Sequence, residues 1–347
     1  MTLTAQQNLA RTLQVIMAPN QSTKTELINK YFSREDIPVM VDGTPMQKHE
    51  LLRSETLDGA AILREDIVKA INEGSQPAIA ALSDLYIFVN TASNKTKFPK
   101  GNQNSFGSYA AIAPEGTSVN VDNNRILYSQ VDIIKAMSTV EITREMIQDS
   151  EYDMMAREVS AAGARIGNTM QSIALYELIT NAAEASGETV TSAKTLKEAI
   201  NKEIAHIQEN GYVPDRIVLS PMAGAWLRDE LTPGYYAGND AMTLSRVPSL
   251  YGVRCEVLAI APATNSAGVY TPGAGKFGST NNVGAVVYAR DKAVGVAIRD
   301  PIGTQSPFQD VYRDLTALTA TARFGAGAIH ELDAVNFDKN AAIYISC

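Results

Sequence analysis

Few residues of this chain have the types and spacing that catalysis or metal binding requires. Its three histidines are His49, His206 and His330, and none has a Glu-x-x-His or cysteine partner at metal-ligand spacing. His206 lies on an amphipathic segment, where a lone histidine is far more often solvent-facing or hydrogen-bonded than a metal ligand. The two cysteines, Cys255 and Cys347, predict neither a metal site nor a disulfide framework.

One glycine-rich motif, Gly273-Ala-Gly275-Lys-Phe-Gly278, matches the dinucleotide-binding pattern GxGxxG. That pattern needs a strand before it and a helix after it, so that the pyrophosphate lies at the helix N-terminus. Here a Thr-Pro loop precedes the motif and a valine-rich strand follows it. A phosphate loop is also excluded, because Lys276 is followed by Phe277 instead of Ser or Thr. The sequence therefore predicts no catalytic residue, no cofactor and no metal ion.

The composition is that of a soluble globular protein. The chain has 347 residues, of which 45% are hydrophobic and 20% charged, so it can form two or three domains. The formal net charge of -8 argues against a nucleic-acid reader, which needs clustered lysine and arginine. No apolar run approaches the ~18 residues of a membrane span, and the N-terminus is too polar for a signal peptide. We therefore expect a protein of cytosolic origin with no membrane partner.

The longest patterned region runs from Ala110 to Asn181 and begins with an extended ribbon. From Val119 to Val140, apolar and polar residues alternate around turn residues at 122–124, which predicts a strand, a turn and a second strand. Thr143 then opens a short helical piece. No residue of the ribbon has a catalytic pattern.

A long helix follows the ribbon, from Ser150 to Asn181. Ser150 and Asp153 have capping-box spacing, so a helix begins there. Its apolar stripe consists of Met155, Val159, Ala162, Ile166, Met170 and Ile173. Such a helix would span roughly 45 Å. Taken alone, the stripe favours an ordinary core helix under a sheet.

The segments before the ribbon predict short helices and one exposed loop. Amphipathic stretches at Thr4–Met17 and Lys24–Phe32 form a separable leader. A helix begins at about Arg64, after a short extended piece, and ends at Gly74, since Pro77 is a stop signal. The next strand is Leu85–Val89. The last of these segments, Thr91–Ser108, predicts a mobile, basic loop tip, with three lysines and no acidic residue.

The C-terminal half alternates helices and strands. Its predicted elements are a helix capped by Thr195 and Glu198, a strand at Arg216–Leu219, a helix opened by Ser220-Pro221, a strand from Leu250, a surface loop at 262–282, and strands at Val283–Ala289, Ala293–Ile298, Val311–Phe324 and Ala334–Phe337. Gly325 and Gly327 predict a bend or bulge. The predicted class is α+β, with one mixed and one mostly antiparallel sheet.

The order of these segments resembles one family. The segments are SETLDGAAILREDIVKAI, the APEGTSV end of a ribbon, VEITREMIQDS, the long helix, GYVPDRIVLSP, SLYGVRCEV and RDLTALTATARFGAGAIHELDAV. In this order and spacing, the chain resembles the major capsid proteins of tailed double-stranded DNA viruses, which have the Hong Kong 97 phage fold. The resemblance covers about residues 55–340.

The resemblance implies a division of the chain into functional segments. They would be an N-terminal extension (1–54), an N-terminal arm (55–79), an extended E-loop (80–132), a peripheral domain with a spine helix (133–194), an axial α/β domain (195–282), and peripheral strands with the C-terminus (283–347). The extension could be removed by a maturation protease or could remain as an arm, and we expect it to remain.

The resemblance also implies roles for particular residues. The E-loop residues that would contact a neighbouring subunit are Lys95, Lys97, Phe98, Lys100 and Glu115. The axial residues that would meet near the centre of a hexamer or pentamer are Tyr235, Tyr236 and Asn239. The implied function is self-assembly through hexamers and pentamers into an icosahedral shell around double-stranded viral DNA, without sequence-specific DNA binding.

The resemblance also implies partners and a location, and two alternative functions stay open. The subunit would be made in the host cytoplasm and would end in the virion, beside portal, scaffolding or decoration proteins. One alternative is the shell of an encapsulin-like nanocompartment, which would enclose an enzyme. The other is a cytosolic α+β enzyme with an unrecognised site, which would have a concave pocket with convergent polar groups.

Overall fold

Helices and strands are interspersed along the chain in a computed structural model. It describes residues 5–16, 21–32, 38–41, 44–47, 58–100, 127–143, 152–184, 195–209, 211–231, 247–266, 269–272, 283–304, 308–310, 315–329 and 342–346. The helices are α1 (Ala5–Ile16), α2 (Gln21–Tyr31), α3 (Asp58–Leu85), α4 (Tyr152–Thr180), α5 (Leu196–Glu209), α6 (Pro221–Leu231) and α7 (Arg290–Ala293). The strands are β1 (Pro38–Val41), β2 (Thr44–Gln47), β3 (Ile87–Asn90), β4 (Lys95–Lys100), β5 (Leu127–Asp132), β6 (Ile134–Thr143), β7 (Ala183–Glu184), β8 (Arg216–Leu219), β9 (Ser249–Leu250), β10 (Val253–Val257), β11 (Thr264–Ser266), β12 (Val269–Thr271), β13 (Val283–Tyr288), β14 (Val294–Thr304), β15 (Phe308–Asp310), β16 (Leu315–Ala328) and β17 (Ala342–Ser346).

Two larger sheets organise these strands. One has six strands in the order β7-β17-β13-β8-β10-β9, with β8 parallel to β10 and β13 antiparallel to both β8 and β17. The other has the order β15-β16-β14-β3, and β6 also pairs with β16. The hairpins β1–β2, β4–β5 and β11–β12 each form a two-stranded sheet. The predicted α+β class is confirmed.

The described residues divide into two compact units. The first takes its residues from Met1–Ala81, Lys135–Asn168 and Asp300–Arg323. The second takes them from Leu82–Ile134, Thr169–Arg299 and Phe324–Cys347. The six-stranded sheet uses β8 and β10 from before residue 282 and β13 and β17 from after it. The predicted functional segments therefore do not coincide with the compact units, and their roles stay expectations.

In the first unit, α3 packs closely on the first half of α4. A Cβ added to Gly163 would lie 2.0 Å from the carbonyl oxygen of Ile71, and one added to Gly74 would lie 2.1 Å from that of Ser160. Such distances leave no room for a side chain, so glycine is required at both positions. The predicted long helix is confirmed, and the described stripe residues Val159, Ala162, Ile166, Met170 and Ile173 are all buried.

The prediction that a helix ends at Gly74 before a stop at Pro77 is wrong, as is the extended piece before Arg64. One helix runs from Asp58 to Leu85 with Pro77 inside it. Proline removes one backbone hydrogen bond, but Pro77 is exposed, and residues on both sides of it are buried, including Ile71 and Leu82. Burial of the apolar face thus outweighs the local stop signal.

The core of the second unit lies between the six-stranded sheet and helices α5 and α6. All residues of β13 are buried, which explains its continuous apolar sequence. Fully buried members of this core include Ile200, Ile217, Leu227 and Val287. Burying an aliphatic side chain contributes about 1.5–3 kcal/mol, so this cluster is the main source of cohesion in the unit.

Polar contacts attach the last turn of α3 to the same sheet. Asp84 accepts hydrogen bonds from Arg216 Nη2 at 3.2 Å and Arg254 Nη1 at 2.9 Å. Arg290 Nη2 donates to the carbonyl oxygen of Ser83 at 2.7 Å. These cations lie at a helix C-terminus, where the partial charge is negative, so the helix dipole favours them.

The predicted helix caps of α5 and α6 are confirmed. The amide of Glu198 donates to Thr195 Oγ1 at 3.4 Å, and that of Ala223 donates to Ser220 Oγ at 3.1 Å. Glu230 of α6 accepts hydrogen bonds from two further N-terminal amides of α5, at 2.8 and 2.9 Å. A carboxylate at a helix N-terminus is also favoured by the helix dipole.

Several predicted loops and strands have different bounds. The strand from Leu250 reverses at Tyr251-Gly252, whose φ angles of 52° and 82° are typical of a type I′ turn. The 262–282 segment is partly a hairpin, β11–β12, and not a plain surface loop. The strand predicted at Val311–Phe324 is observed at Leu315–Ala328, and β1, β2 and β17 were not predicted.

Two more predictions concern residues near the ends of elements. Thr143 is the last residue of strand β6, and the helical piece predicted after it lies outside the described residues. Gly325 and Gly327 lie within the last four residues of β16, and the predicted bend or bulge there stays a prediction. The strand predicted at Ala334–Phe337 and the motif at residues 273–278 lie outside the described residues.

Candidate functional site at the base of the β4–β5 ribbon

The predicted loop at Thr91–Ser108 is in part a strand. Residues Lys95–Lys100 form β4, which pairs antiparallel with β5 from Lys95↔Asp132 to Lys100↔Leu127. The four predicted contact residues Lys95, Lys97, Phe98 and Lys100 therefore lie on this β4–β5 ribbon. Alternation in Lys-Thr-Lys-Phe was the sequence signal for a strand.

The ribbon has one exposed and one buried face. Lys95, Lys97, Tyr128, Gln130 and Asp132 are exposed. Thr96, Phe98 and Val131 are buried. Of the predicted contact residues, Lys95 and Lys97 therefore point to solvent, whereas Phe98 anchors the ribbon to its own subunit.

Three glycines provide the surface on which the buried face lies, and we call them the glycine floor: Gly295, Gly325 and Gly327. A Cβ added to Gly327 would lie 2.3 Å from Val131 Cγ2, and one added to Gly295 would lie 2.8 Å from the Phe98 ring. One added to Gly325 would lie 2.6 Å from the carbonyl oxygen of Asp132. Any larger residue would lift the ribbon, so the floor fixes its position.

The anchoring cluster is small. It consists of Phe98, Val131 and Ala297, with the partly buried Val89, Ile133 and Ile329 packed against them. Its members come from β3, β4, β5 and β14, together with Ile133, which follows β5, and Ile329, which follows β16. A satellite cluster of this size holds one element in place without contributing much to the whole unit.

Weak interactions connect residues on the exposed face. Lys95 Nζ lies 3.6 Å from Asp132 Oδ1, with both side chains more than half exposed. Lys97 Nζ lies 5.9 Å from the centroid of the Tyr128 ring. Exposed ion pairs and cation–π contacts contribute at most about 1 kcal/mol each. The face therefore remains available for other contacts.

A cleft of about 320 Å³ lies beside the ribbon. Its walls are residues of β5, the C-terminal half of α4, the β11–β12 hairpin and the end of β16. Within it, Glu177 Oε1 accepts a hydrogen bond from Tyr270 Oη at 2.6 Å, and Oε2 accepts one from Asn181 Nδ2 at 3.0 Å. Tyr176 and Tyr270 meet edge to face at 5.9 Å. These contacts attach the hairpin to α4.

Two groups of the cleft have altered acidity. Burial raises the pKa of Glu177 above its ordinary value, and the hydrogen bonds from Tyr270 and Asn181 partly oppose this. Burial, followed by the contacts with Glu177, raises the pKa of Tyr270 as well. Because both Glu177 oxygens accept hydrogen bonds, the arrangement is suited to holding the hairpin against α4.

Several predicted residues cannot be placed at this site. Glu115, Tyr235, Tyr236 and Asn239 lie outside the described residues. Sequence reasoning missed Val131 and the glycine floor, although Gly-Ala-Gly within an apolar alternation is a signal of close backbone approach. It also missed Glu177 and Tyr270, for which the sequence has no local signal.

The described part of the chain offers little for metal or thiol chemistry. Within it, no group of three or more His, Cys, Asp or Glu residues could hold a metal ion. His206 Nδ1 lies 3.4 Å from Glu203 Oε2 on α5, while His49 and His330 are outside the described residues. Burial raises the pKa of Cys255 to about 12, which keeps this thiol protonated and unreactive.

The described helices also contain no segment that could cross a membrane.

Comparisons with known proteins agree with this architecture. The sequence model of a family described as "Phage capsid protein" matches residues 129–337, which is more than half of the chain. That range includes the three glycines of the floor, all of β6 and α4, and α5 and α6. No curated protein sequence gives a significant match.

Solved structures give the same result for the fold. The capsid of the cyanophage P-SCSP1u has a TM-score of 0.54 and 16% identity, over 76% of this chain and 87% of that one. The structure from Gordonia phage Cozz has a TM-score of 0.53 and 12% identity, over 76% and 85%. A virus-like particle from Pyrococcus furiosus has a TM-score of 0.51 and 12% identity, over 81% and 98%.

These three structures are only 12–16% identical to this chain, so the similarity shows a shared fold and says nothing about function. The family match adds the function, because it extends over more than half of the chain, including α4, α5, α6 and the glycine floor. The chain therefore belongs to the phage capsid protein family and is a major capsid protein with the Hong Kong 97-like fold, which forms a viral shell from copies of itself.

Proposed function

We propose that copies of this chain assemble through hexamers and pentamers into an icosahedral shell that encloses double-stranded viral DNA. The family match over residues 129–337 supports this proposal most directly. A shell subunit needs a rigid body and extensions that reach other subunits. The apolar core of the six-stranded sheet and the anchored β4–β5 ribbon fit these two requirements.

The ribbon is proposed to be the base of the E-loop, whose outer part reaches a neighbouring subunit. Its exposed face supports this role, since Lys95 and Lys97 make only weak contacts within their own subunit. Lys100 and Glu115 are proposed to continue the contact, and Phe98 sets its direction from below. Contacts of this kind are individually weak, and their repetition around a closed shell makes assembly cooperative.

The remaining segments keep the roles that the family resemblance implies. We assign α4 as the spine helix of the peripheral domain, residues 195–282 as the axial domain and residues 55–79 as the N-terminal arm. Tyr235, Tyr236 and Asn239 of the axial segment are proposed to meet near the capsomer centre.

The proposed contents of the shell are DNA held without sequence-specific contacts. The formal net charge of -8 supports this, because an acidic wall does not bind phosphates tightly. The subunit is proposed to have no enzymatic activity and to be made in the host cytoplasm. Portal, scaffolding or decoration proteins are proposed as its further partners in the virion.

The experiment that tests the assembly proposal is direct. The protein is expressed alone and with co-expressed phage proteins, and particles are examined by light scattering and electron cryomicroscopy. We expect closed icosahedral particles built from hexamers and pentamers. Monomers or small oligomers under every condition would contradict the proposal. Virions that contain double-stranded DNA would support the viral shell, whereas a folded enzyme inside the particles would favour the encapsulin-like alternative.

The E-loop role needs its own variant. Residues 101–126 are replaced by Asn-Gly, which joins the paired ends Lys100 and Leu127 by a two-residue turn and preserves the ribbon. We expect a subunit with unchanged thermal stability that does not form shells. The control replaces residues 267–268, between β11 and β12, by the same Asn-Gly pair and is expected to assemble. Normal shells from the shortened ribbon would remove the proposed role.

A further inference from the structure

Helices α1 and α2 form a hairpin whose inner side chains are buried. Thr12 and Val15 of α1 are fully buried, and Ile28 of α2 and the following Phe32 are only 1% and 2% exposed. A pair of helices alone buries only the seam that the two helices share. Side chains that are buried this completely therefore need a third element beside the hairpin.

Helix α3 contributes to that third element. Thr12 Oγ1 donates a hydrogen bond to Asp66 Oδ2 of α3, and both side chains are buried. Ala70, one turn further along α3, is fully buried as well. The hairpin and this part of α3 belong to the same compact unit. Helix α3 thus contacts the hairpin near Asp66 and contacts α4 near Gly74.

The pair of Thr12 and Asp66 places polar groups where apolar side chains pack at lower cost. Threonine is a poor residue for a helix interior, and a buried carboxylate is costly unless hydrogen bonds satisfy it. The hydrogen bond forms only when Thr12 lies opposite Asp66. A buried polar contact of this kind fixes the register of one helix on another, here that of α1 on α3.

The hairpin has little to hold it together away from α3. Its helices have 12 and 11 residues, and isolated helices shorter than about 12–15 residues are marginal in water. Arg11 Cζ and Lys30 Nζ each lie 5.2 Å from the centroid of the Tyr31 ring, which is a weak contact at partly exposed side chains. The folded state of the hairpin therefore depends on its packing against the rest of the unit.

From these contacts we infer that α3 carries a binding site for the α1–α2 hairpin, which holds the hairpin without a covalent connection. The ligand is a segment of this same chain, a helix pair that presents the Thr12 hydroxyl to the Asp66 carboxylate. A cut in the chain between Phe32 and Pro38 would leave the hairpin bound as a second polypeptide. A protease that acts there would therefore not by itself remove the hairpin. The inference concerns the single subunit and goes beyond the proposed assembly into a shell.

The test cuts this connection in the full-length protein. A recognition sequence for a site-specific protease is inserted between Arg34 and Glu35, outside the described residues, and the folded protein is cut under native conditions. We expect the hairpin fragment to elute with the rest of the chain on size-exclusion chromatography at micromolar concentration. Mass spectrometry of the peak identifies both pieces. Elution of the fragment on its own would overturn the inference.

Variants of the cut protein separate the polar contact from packing. Thr12→Val keeps the shape of the side chain but loses the hydroxyl, so the buried carboxylate of Asp66 loses a donor. We expect this hairpin to dissociate at least about tenfold faster, measured by dilution of protein labelled at its N-terminus. Thr12→Ser keeps the hydroxyl and is expected to dissociate more slowly than Thr12→Val. The control is Glu26→Gln, at an exposed side chain of α2, which is expected to match the parent protein.

Hydrogen exchange gives a second test that needs no substitution in the hairpin. The amides of α1 are expected to be as protected after the cut as before it, because the same contacts persist. Loss of this protection on cutting would overturn the inference, as would equal dissociation of Thr12→Val and the parent. If Thr12→Val does not fold, the exchange experiment decides. All of these measurements use free subunits, so their results do not depend on shell assembly.

Discussion

The six-stranded sheet with α5 and α6, which we call the α/β layer, belongs to the same compact unit as the β4–β5 ribbon. The two regions are held in place in different ways. The layer has a continuous apolar core that includes Ile217, Val287 and Ile343. The ribbon is held by a cluster of three buried side chains, Phe98, Val131 and Ala297, next to the glycine floor. Cohesion in the layer comes from total buried area, whereas the position of the ribbon comes from the shape of one surface.

This difference shows how a shell subunit can combine a rigid body with an adjustable extension. Loss of one side chain from the layer affects the stability of the whole unit. A change under the ribbon mainly alters where the ribbon lies, because few other residues depend on it. Four predictions use this contrast, and each places one substitution in the layer, under the ribbon or in the adjacent cleft.

The largest effect is expected in the layer core. Ile217→Ala removes a fully buried side chain between the sheet and α5, and we expect the free energy of unfolding to fall by about 2–5 kcal/mol. Urea denaturation of the isolated subunit measures this. The control is Val213→Ala, at a side chain that is 78% exposed, where the change is expected to stay within about 0.5 kcal/mol. Equal effects at both positions would show that the layer is not the main source of cohesion.

A smaller effect is expected at the polar edge of the layer. Arg216→Met removes the guanidinium that bonds to Asp84 at the end of α3, and we expect a loss of about 1.5–3 kcal/mol because charged hydrogen bonds in half-buried sites are lost. The matched control on the ribbon is Lys95→Met, which breaks an exposed ion pair and should cost no more than about 1 kcal/mol. Thermal unfolding compares the two variants, and an equal loss would argue against the difference between the regions.

Under the ribbon, the expected effect is local. Gly327→Val places a side chain where Val131 lies, and overpacking of this kind costs about 1–3 kcal/mol. Because the cluster is small, we expect faster hydrogen exchange in β4 and β5, with little change in β8 and β13. Gly303→Ala serves as the control, since its added Cβ would have no neighbour closer than 3.9 Å. Uniformly faster exchange in both regions would contradict a local anchor.

The smallest effect concerns the cleft and depends on pH. The pKa of Glu177 is raised above its ordinary 4.5 by burial, so the folded protein binds this proton more tightly than the unfolded chain does. Glu177 therefore contributes stability below its unfolded pKa, and this contribution is lost as the pH rises through the folded pKa. We expect the stability of the parent protein relative to Glu177→Gln to fall as the pH rises above about 4.5. Urea denaturation across this range checks the sign, and a constant or growing difference would contradict it.

Much of the architecture was predictable from local signals. The stripe of α4, the caps at Thr195 and Ser220, and the strand at Arg216–Leu219 all have sequence patterns that act within a few residues. The order of segments also pointed to the Hong Kong 97-like fold. The candidate site was only partly predictable, because Lys95, Lys97 and Phe98 were identified but were assigned to a mobile loop.

The errors share a physical cause, which is the influence of residues distant in sequence. Pro77 does not end α3, because buried residues on either side of it continue one apolar face. At Gly325 and Gly327, the sequence pattern did not reveal that the ribbon residue Val131 occupies the space that a side chain would take. Helix and strand propensities depend on residues that are neighbours in the sequence, whereas these contacts join residues that are far apart in it.

The sequence by itself determined the class of the protein, the position of its long helix and its family, because periodicity, caps and segment order act along the chain. The tertiary structure alone decided which side chains of the ribbon are buried and where the glycine floor lies. These features depend on the packing of residues that lie almost 200 positions apart, such as Phe98 on Gly295 and Val131 on Gly327. No local pattern specifies such contacts, and they form only when the surrounding core brings the two segments together.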